Sequence, residues 1–245
     1  MGACVVAQVT IPLLSIPVIS RPDLLARCIA SIDVSVGRLV VIDNSPTGGY
    51  ASVVEANVPD CVDDWFVCEP PANLGVAASW NLAIRTAPDV PWWCIANADT
   101  EVGPGDLARL AAEMDKGGAR WVGMNGDWRV FGITRSVIER VGWFDENYHP
   151  IYCEDADYER RCTLADVDWY SIPGGASHAG SATIAEDRYR RENDRTYPAN
   201  VAYHVAKWGG PPRRGLFLSP FDAGGSVSEW TLDLRRLRAN TWEAR

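Results

Sequence analysis

"RLVVIDNSPTGG", residues 38–49, sets an apolar run, Leu39 to Ile42, against an abrupt polar turn that opens at Asp43 and carries two glycines. Short Val/Ile-rich runs that end in such turns read as buried strands of a parallel sheet, whose ligand sites lie beyond the strands' C-terminal ends. Upstream, "IPVISRPDLLARCIASI" (16–32) adds a strand, a loop and a helix that starts at Pro22, with leucines recurring on one face. Downstream come "VVEANV" (53–58), "WFVCEP" (65–70), "GVAASWNLAIRTA" (75–87) and "WWCIANAD" (92–99). The rhythm is βαβαβ, which predicts an α/β fold with a mainly parallel sheet flanked by helices.

Beyond residue 100 the pattern changes. An amphipathic helix is expected from Asp106 to about Lys116, followed by a glycine-punctuated, strand-prone stretch in which the sheet becomes mixed. "SVIERVGWFDE" (136–146) reads as a helix closed by Gly142, and "EDADYERRCTLA" (154–165) as a helix opening on acids that complement its dipole. A polar helical region ends at Gly209 and Gly210, and an amphipathic helix is expected over 226–245. A boundary near residue 185 divides a main domain, 1–185, from a C-terminal helical extension, 186–245, packed on it.

The 245 residues suffice for one sizeable α/β domain plus an accessory piece. Eleven tryptophans exceed ordinary need and serve as core filler or as a surface for stacking ligands. The net charge of −9 is uneven: residues 185–245 carry 11 basic and 8 acidic side chains, the rest 12 and 24. An acidic body does not suit phosphate backbones and calls for a metal ion if it binds a phosphorylated small molecule. Seven scattered cysteines without a zinc-type pair fit a reduced, cytoplasmic compartment. The apolar opening, broken by Gln8, Thr10, Pro12 and Pro17, reads as strand and not as a membrane span, and the basic tail leaves peripheral membrane association open.

Two strand ends and one helix start carry chemistry. Asp43, Asn44 and Ser45 follow one strand, and Asn97 and Asp99 follow another, where oxygen ligands can meet a ribose, a base or a hard cation. Asp and Asn also form ordinary turns. In "IYCEDADYERRC" (151–162), Glu154, Asp155 and Asp157 crowd a helix start; successive positions point about 100° apart, so Glu154 and Asp155 are not expected to face one acceptor. One carboxylate there can act as a general base, its proton affinity raised by its neighbours. The alternative is that all three cap the helix and pair with Arg160 and Arg161.

Taken in order, these pieces resemble the inverting glycosyltransferases of family 2, which have the GT-A fold. "IPVISRPDLLARCIASI" is similar to the family's first strand and helix, and "VVIDNSPTGG" (40–49) to its base-contacting strand end. "NLGVAASWN" (73–81) matches its small-residue helix entry, and "NADT" (97–100) its metal and diphosphate motif. The most specific piece is "VGWFDENYHPIYCEDADYERR" (141–161). The resemblance implies that about 9–100 bind a nucleotide sugar, through Pro17, Val18, Asp43, Asn73, Gly75, Asn97 and Asp99, and that about 101–185 serve catalysis and the acceptor. It implies Asp155 as catalytic base, Glu154 and Trp143 on the acceptor side, and Mg²⁺ or Mn²⁺ held by Asp99 and His178. Asn97 stands where many relatives have Asp, which leaves one strong ligand in that motif.

The expected function is metal-assisted, inverting transfer of a sugar from a UDP- or dTDP-type donor to a hydroxyl of a glycan or lipid-linked sugar. A protein side chain or a hydroxylated DNA base would use the same chemistry, and a non-catalytic nucleotide-sugar binding module is the remaining alternative. A sugar nucleotidyltransferase fits less well, because no Gly-rich, basic triphosphate loop opens the chain.

Overall fold

The computed structural model describes residues 10–178 and 186–222. The first nine residues, most of the segment after His178 and the helix expected over 226–245 lie outside the described residues.

Along the chain run β1 (Thr10–Ile11), β2 (Leu14–Val18), α1 (Pro22–Ala30), β3 (Ser35–Val36), β4 (Leu39–Asp43), α2 (Ala51–Asn57), β5 (Trp65–Cys68), α3 (Gly75–Thr86) and β6 (Trp92–Ala96). There follow β7 (Thr100–Glu101), α4 (Asp106–Met114), β8 (Trp121–Met124), β9 (Val130–Thr134), α5 (Arg135–Val141), α6 (Glu154–Leu164), β10 (Trp169–Ile172), β11 (Ser177–His178) and α7 (Asp187–Trp208). The expected βαβ order is present, and the expected mixing of the sheet falls at β9. The main sheet has seven strands in the order β10-β8-β9-β6-β2-β4-β5, and β9 runs antiparallel to both of its neighbours while the other pairs are parallel.

The period-2 geometry of a strand divides each central one between two cores. From β4, Leu39 and Val41 face one layer, with Leu25, Cys28 and Ile29 of α1, Val54 of α2 and Leu107 and Leu110 of α4. Val40 and Ile42 face the other, with Ala77, Trp80 and Ile84 of α3, Val137 and Ile138 of α5 and Tyr158 of α6. Both faces of β4 and β6 are therefore covered, which is why these segments read as unbroken apolar runs.

The tryptophans are mostly core. Trp92, Trp93, Trp121 and Trp208 are fully buried, and Trp80 stacks on Trp128 with centroids 5.5 Å apart. Trp80 and Trp128 also border the cleft described below. Helix α5 ends at Gly142, whose N–H donates to the Ile138 carbonyl at 2.8 Å, as the sequence suggested.

Candidate active site

The C-terminal ends of β2, β4 and β6 open into two adjoining cavities. One, of about 500 Å³, is lined by the 43–48 turn, residues 69–73, Arg188, Tyr189 and Glu192. The other, of about 370 Å³, is lined among others by Pro17, Val18, Asn97, Asp99, Trp128, Arg129, Glu154 and Asp155. They share Ile19, Asn44, Asn73, Tyr189 and Glu192, so they form one continuous cleft.

In the first cavity Asp43 is 1% exposed. Its Oδ1 accepts the Ser45 N–H at 2.9 Å and closes the turn, while its Oδ2 is buried without a protein partner. A buried acceptor left open is costly, so this oxygen suits a ligand N–H. Next to it, Asn44 is a brace: it donates to Ser79 Oγ and accepts the Leu74 N–H, both at 2.9 Å. Asn73 likewise turns inward, its Oδ1 accepting the Gly75 N–H at 2.9 Å.

Gly75 borders the cleft, but its smallness serves the protein itself. It has φ +76, and a Cβ there would lie 2.7 Å from the Pro150 carbonyl oxygen and 2.9 Å from the His149 ring. That close approach lets the Val76 N–H reach the Pro150 carbonyl at 2.8 Å and docks the 149–152 lip on α3. Asn81 fastens the preceding segment by donating to the Phe144 carbonyl at 2.9 Å and to Glu146 at 2.7 Å.

After β6 the Asn97 N–H donates to the Arg129 carbonyl at 2.8 Å, and the Asn97 carbonyl accepts the Thr100 N–H at 3.1 Å. This turn brings Asp99 to the cleft wall. The short antiparallel pair of β7 with β11 places the His178 backbone across from Thr100, one position from Asp99. Arg129 stands on the same wall; its hydrogen bonds to Asp127, with Asp99 nearby, hold its guanidinium above the usual range. Among the described residues no three His, Cys, Asp or Glu side chains stand together as a ready-made metal cluster. One carboxylate at a strand end still fits Mg²⁺ or Mn²⁺ of the kind that takes most of its other ligands from substrate phosphates and water.

The acidic helix start divides by environment. Tyr152 and Cys153 both have φ 78, a left-handed conformation that non-glycine residues adopt at a cost of roughly 1–2 kcal/mol each. Asn200 of α7 holds the kink, donating to the carbonyls of Ile151 and Tyr152 at 3.0 and 3.2 Å. Glu154, 5% exposed, has its Oε2 buried without a partner on the cleft lining. Burial, and then the Asp155 charge, push its carboxyl up to about 8. Asp155 also borders the cleft; its Oδ1 accepts the Ala156 N–H at 2.8 Å, and its Oδ2 is 2.9 Å from Arg213 Nη2.

Asp157 has a different task. Fully buried, it accepts from Arg161 at 2.8 Å and Trp208 Nε1 at 2.8 Å and lies 2.6 Å from Lys207 Nζ. Burial alone would raise its carboxyl, yet Lys207 and Arg161 hold it well below the usual range. Of the cap-and-pair alternative, the pairing of Asp157 with Arg161 is thus found. The reading in which all three acids only cap the helix is not: Arg160 donates instead to the Phe217 carbonyl at 2.6 Å, and Glu154 meets neither arginine. Glu154 and Asp155 border the same cleft although their helix positions differ, because the kink at 152–153 tilts the first turn toward it.

Trp143 requires a correction. It is 7% exposed, packs in the second core cluster under the Arg85 guanidinium, and does not line the cleft, because the glycine at 142 turns the chain inward. Sequence reading also missed Tyr189, Glu192, Asn200, Lys207 and Arg213, all from α7 and the loop after it. The polar character of α7 marked the helix but singled out none of these side chains. Among the described residues no helix is long and apolar enough to cross a membrane.

The family model described as "Glycosyl transferase family 2" matches residues 14–170, more than half of the chain. A galactofuranosyl glycosyltransferase from Leishmania donovani is 30% identical over 137 residues, which are 46% of this chain and 31% of that protein. Among solved structures, the mannosyltransferase PcManGT from Pyrobaculum calidifontis, in complex with GDP-Man and Mn²⁺, superposes with a TM-score of 0.58 at 15% identity, covering 84% of this chain and 66% of that one. TarS 1-349 from S. aureus, in complex with UDP-GlcNAc, has a TM-score of 0.51 at 13% identity, covering 72% and 61%. The chain therefore spans less than two thirds of each of these proteins, and the two structures bear on its fold: both share the mixed, mainly parallel sheet.

Proposed function

The chain belongs to glycosyl transferase family 2, and from that premise we propose that it moves a sugar from a nucleoside diphosphate sugar to an acceptor hydroxyl, inverting the anomeric carbon. The observation that carries this reading is one continuous cleft. It has the open Asp43 oxygen in its first cavity and Asp99 and Asp155 in the adjoining one.

In this mechanism Asp43 accepts an N–H of the nucleobase, and Pro17, Val18, Asn73, Gly75 and Asn97 wall the rest of the nucleotide sugar. Asp99 and His178 would hold Mg²⁺ or Mn²⁺, which when bound supplies Lewis-acid neutralisation of the leaving diphosphate. Asp155 takes the proton of the acceptor hydroxyl as its oxygen forms the new bond to C1. The C1–O bond to phosphate breaks, and its electron pair departs on the nucleoside diphosphate. Attack opposite the leaving group gives inversion. Glu154, neutral near pH 7 because its carboxyl is pushed up to about 8, can donate a hydrogen bond to a sugar hydroxyl.

The donor class is UDP- or dTDP-type; PcManGT with GDP-Man and TarS with UDP-GlcNAc support a nucleoside diphosphate sugar in general. We assign the acceptor to a glycan or lipid-linked sugar. The free thiols of Cys28, Cys61, Cys68, Cys94, Cys153 and Cys162 accord with a reducing cytoplasm.

The test is a thermal-shift panel of nucleoside diphosphate sugars with and without Mn²⁺, followed by transfer assays on Asp155→Asn. The variant should bind donor as the native chain does and lose transfer. A variant that keeps most of its turnover overturns the assignment of the base.

A further inference from the structure

Asp155 is gripped by a segment that lies outside the family-matched residues 14–170. Arg213 Nη2 is 2.9 Å from Asp155 Oδ2, and the same guanidinium meets Glu159 through Nε and Nη2, each at 2.9 Å. Asp155 and Glu159 are four residues apart and share one face of α6. The planar fork therefore ties the first turn of the helix to the second.

The loop that delivers Arg213 is itself fixed. The N–H groups of Leu216 and Phe217 donate to the Trp208 carbonyl at 2.7 and 3.0 Å, and that of Phe221 to the Lys207 carbonyl at 2.6 Å. Arg160 Nη2 grips the Phe217 carbonyl at 2.6 Å, and Lys207 and Trp208 are anchored on Asp157. Arg213 is more than half exposed, and an exposed ion pair adds little stability, so stability alone does not account for a fork that closes on two carboxylates at the cleft edge.

We propose that Arg213 is a positioning residue for sugar transfer: it holds the Asp155 carboxylate in the rotamer that meets the acceptor hydroxyl, and Glu159 anchors the guanidinium in that task. The inference rests on the reading of Asp155 as the general base. Arg213 does not line either cavity, so its loss acts on the chemical step and not on donor affinity. Lysine, a point charge, can approach Asp155 but cannot bridge both acids as the fork does.

The experiment compares Arg213→Gln, Arg213→Lys, Glu159→Gln and Asp155→Asn in the full chain. Turnover is read as nucleoside diphosphate released from UDP-, dTDP- and GDP-sugars with Mn²⁺, with octyl glycosides or water as acceptor. Affinity for UDP and GDP is read by calorimetry, and folding by thermal melting. Arg213→Gln should lower kcat by about 10- to 100-fold with nucleotide affinity and melting nearly unchanged, since displacing a reacting group by about 1 Å costs that much. Glu159→Gln should give a smaller loss in the same direction, and Arg213→Lys should recover part of the rate. Should Arg213→Gln not fold, Glu159→Gln carries the test.

A kcat within about twofold of native in Arg213→Gln, with Asp155→Asn inactive, overturns this inference and leaves the base assignment standing. Parallel loss of nucleotide affinity also overturns it, by making Arg213 a donor contact. Turnover retained in Asp155→Asn removes the premise and the inference together.

Discussion

Lys207 stands 2.6 Å from Asp157 in the interior of the protein, and the same ammonium lies 2.6 Å from Asp145. The two acids bracket the lip that carries the left-handed residues Tyr152 and Cys153 and then Glu154 and Asp155. A single cation from the last turn of α7 therefore clips both ends of the segment that presents the proposed base. Asn200, two turns earlier on the same helix, holds the kink in between. Helix α7, in the expected C-terminal extension, thus packs on the main domain through side chains that frame the cleft.

Lys207→Met should therefore be among the most destabilising single changes in the chain. It removes the ammonium shared by two buried carboxylates, leaving Asp157 with Arg161 and Asp145 without its lysine, and breaking a buried pair in this way costs about 3–5 kcal/mol. Urea unfolding should show the loss as a lower midpoint. The double variant Lys207→Met with Asp145→Asn should recover part of it. A cost under about 1 kcal/mol would mean that water or another group compensates the acids.

Asp43→Asn keeps an oxygen to accept the Ser45 N–H and puts an NH₂ donor where the partnerless oxygen was, so it should spare the turn while weakening nucleotide binding. A hydrogen bond to a charged acceptor is worth about 1.5–3 kcal/mol, so affinity for UDP or GDP should fall about 10- to 150-fold. Calorimetry on the native chain and the variant decides it. Unchanged affinity would place the nucleobase elsewhere.

The strand ends were legible because a buried parallel strand must be apolar throughout and its polar exit cannot be hidden, so Asp43 and Asp99 stand out at the ends of "LVVID" and "WWCIANAD". The order of motifs around Asp155 pointed to the helix start that the structure brings to the cleft. Trp143 was misplaced because adjacency to an acidic motif says nothing of the direction a side chain takes after a glycine turn. Gly75 was read as room for backbone to approach a ligand, whereas the space a Cβ would take is filled by the Pro150 backbone, a contact 75 residues away in sequence. Lys207, Asn200 and Arg213 were illegible for the same reason: their partners are long-range, and no local spacing distinguishes a buried lysine from a solvated one.

Glu154 should make stability fall as pH rises. Its folded carboxyl is pushed from 4.5 up to about 8, chiefly by burial. Below the unfolded value both states carry the proton and the group is neutral in its effect. Between about 4.5 and 8 the unfolded chain releases the proton while the folded one retains it, so the stability of the neutral form is progressively lost. Glu154→Gln removes this dependence. The variant should match the native chain near pH 4 and exceed it by roughly 2–4 kcal/mol near pH 8, as read from urea unfolding at a series of pH values. A difference that does not vary with pH would mean that the native carboxyl is ionised in the fold.

Asp99 sets the last expectation. A strand end with one carboxylate and no cluster of three acidic, His or Cys ligands among the described residues should hold Mn²⁺ poorly without substrate. Most of the ion's ligands would then come from the diphosphate and water, so metal and nucleotide should bind cooperatively. Mn²⁺ titrated alone should show weak binding, whereas Mn²⁺ should raise the affinity for UDP or GDP. Asp99→Asn should abolish that gain and leave metal-free nucleotide binding nearly intact. Asn97→Asp, which restores the second acid that many family members carry, should strengthen Mn²⁺ binding in the absence of nucleotide. If the gain survives in Asp99→Asn, the diphosphate and other groups bind the ion without this carboxylate, and the metal role passes from Asp99 to them.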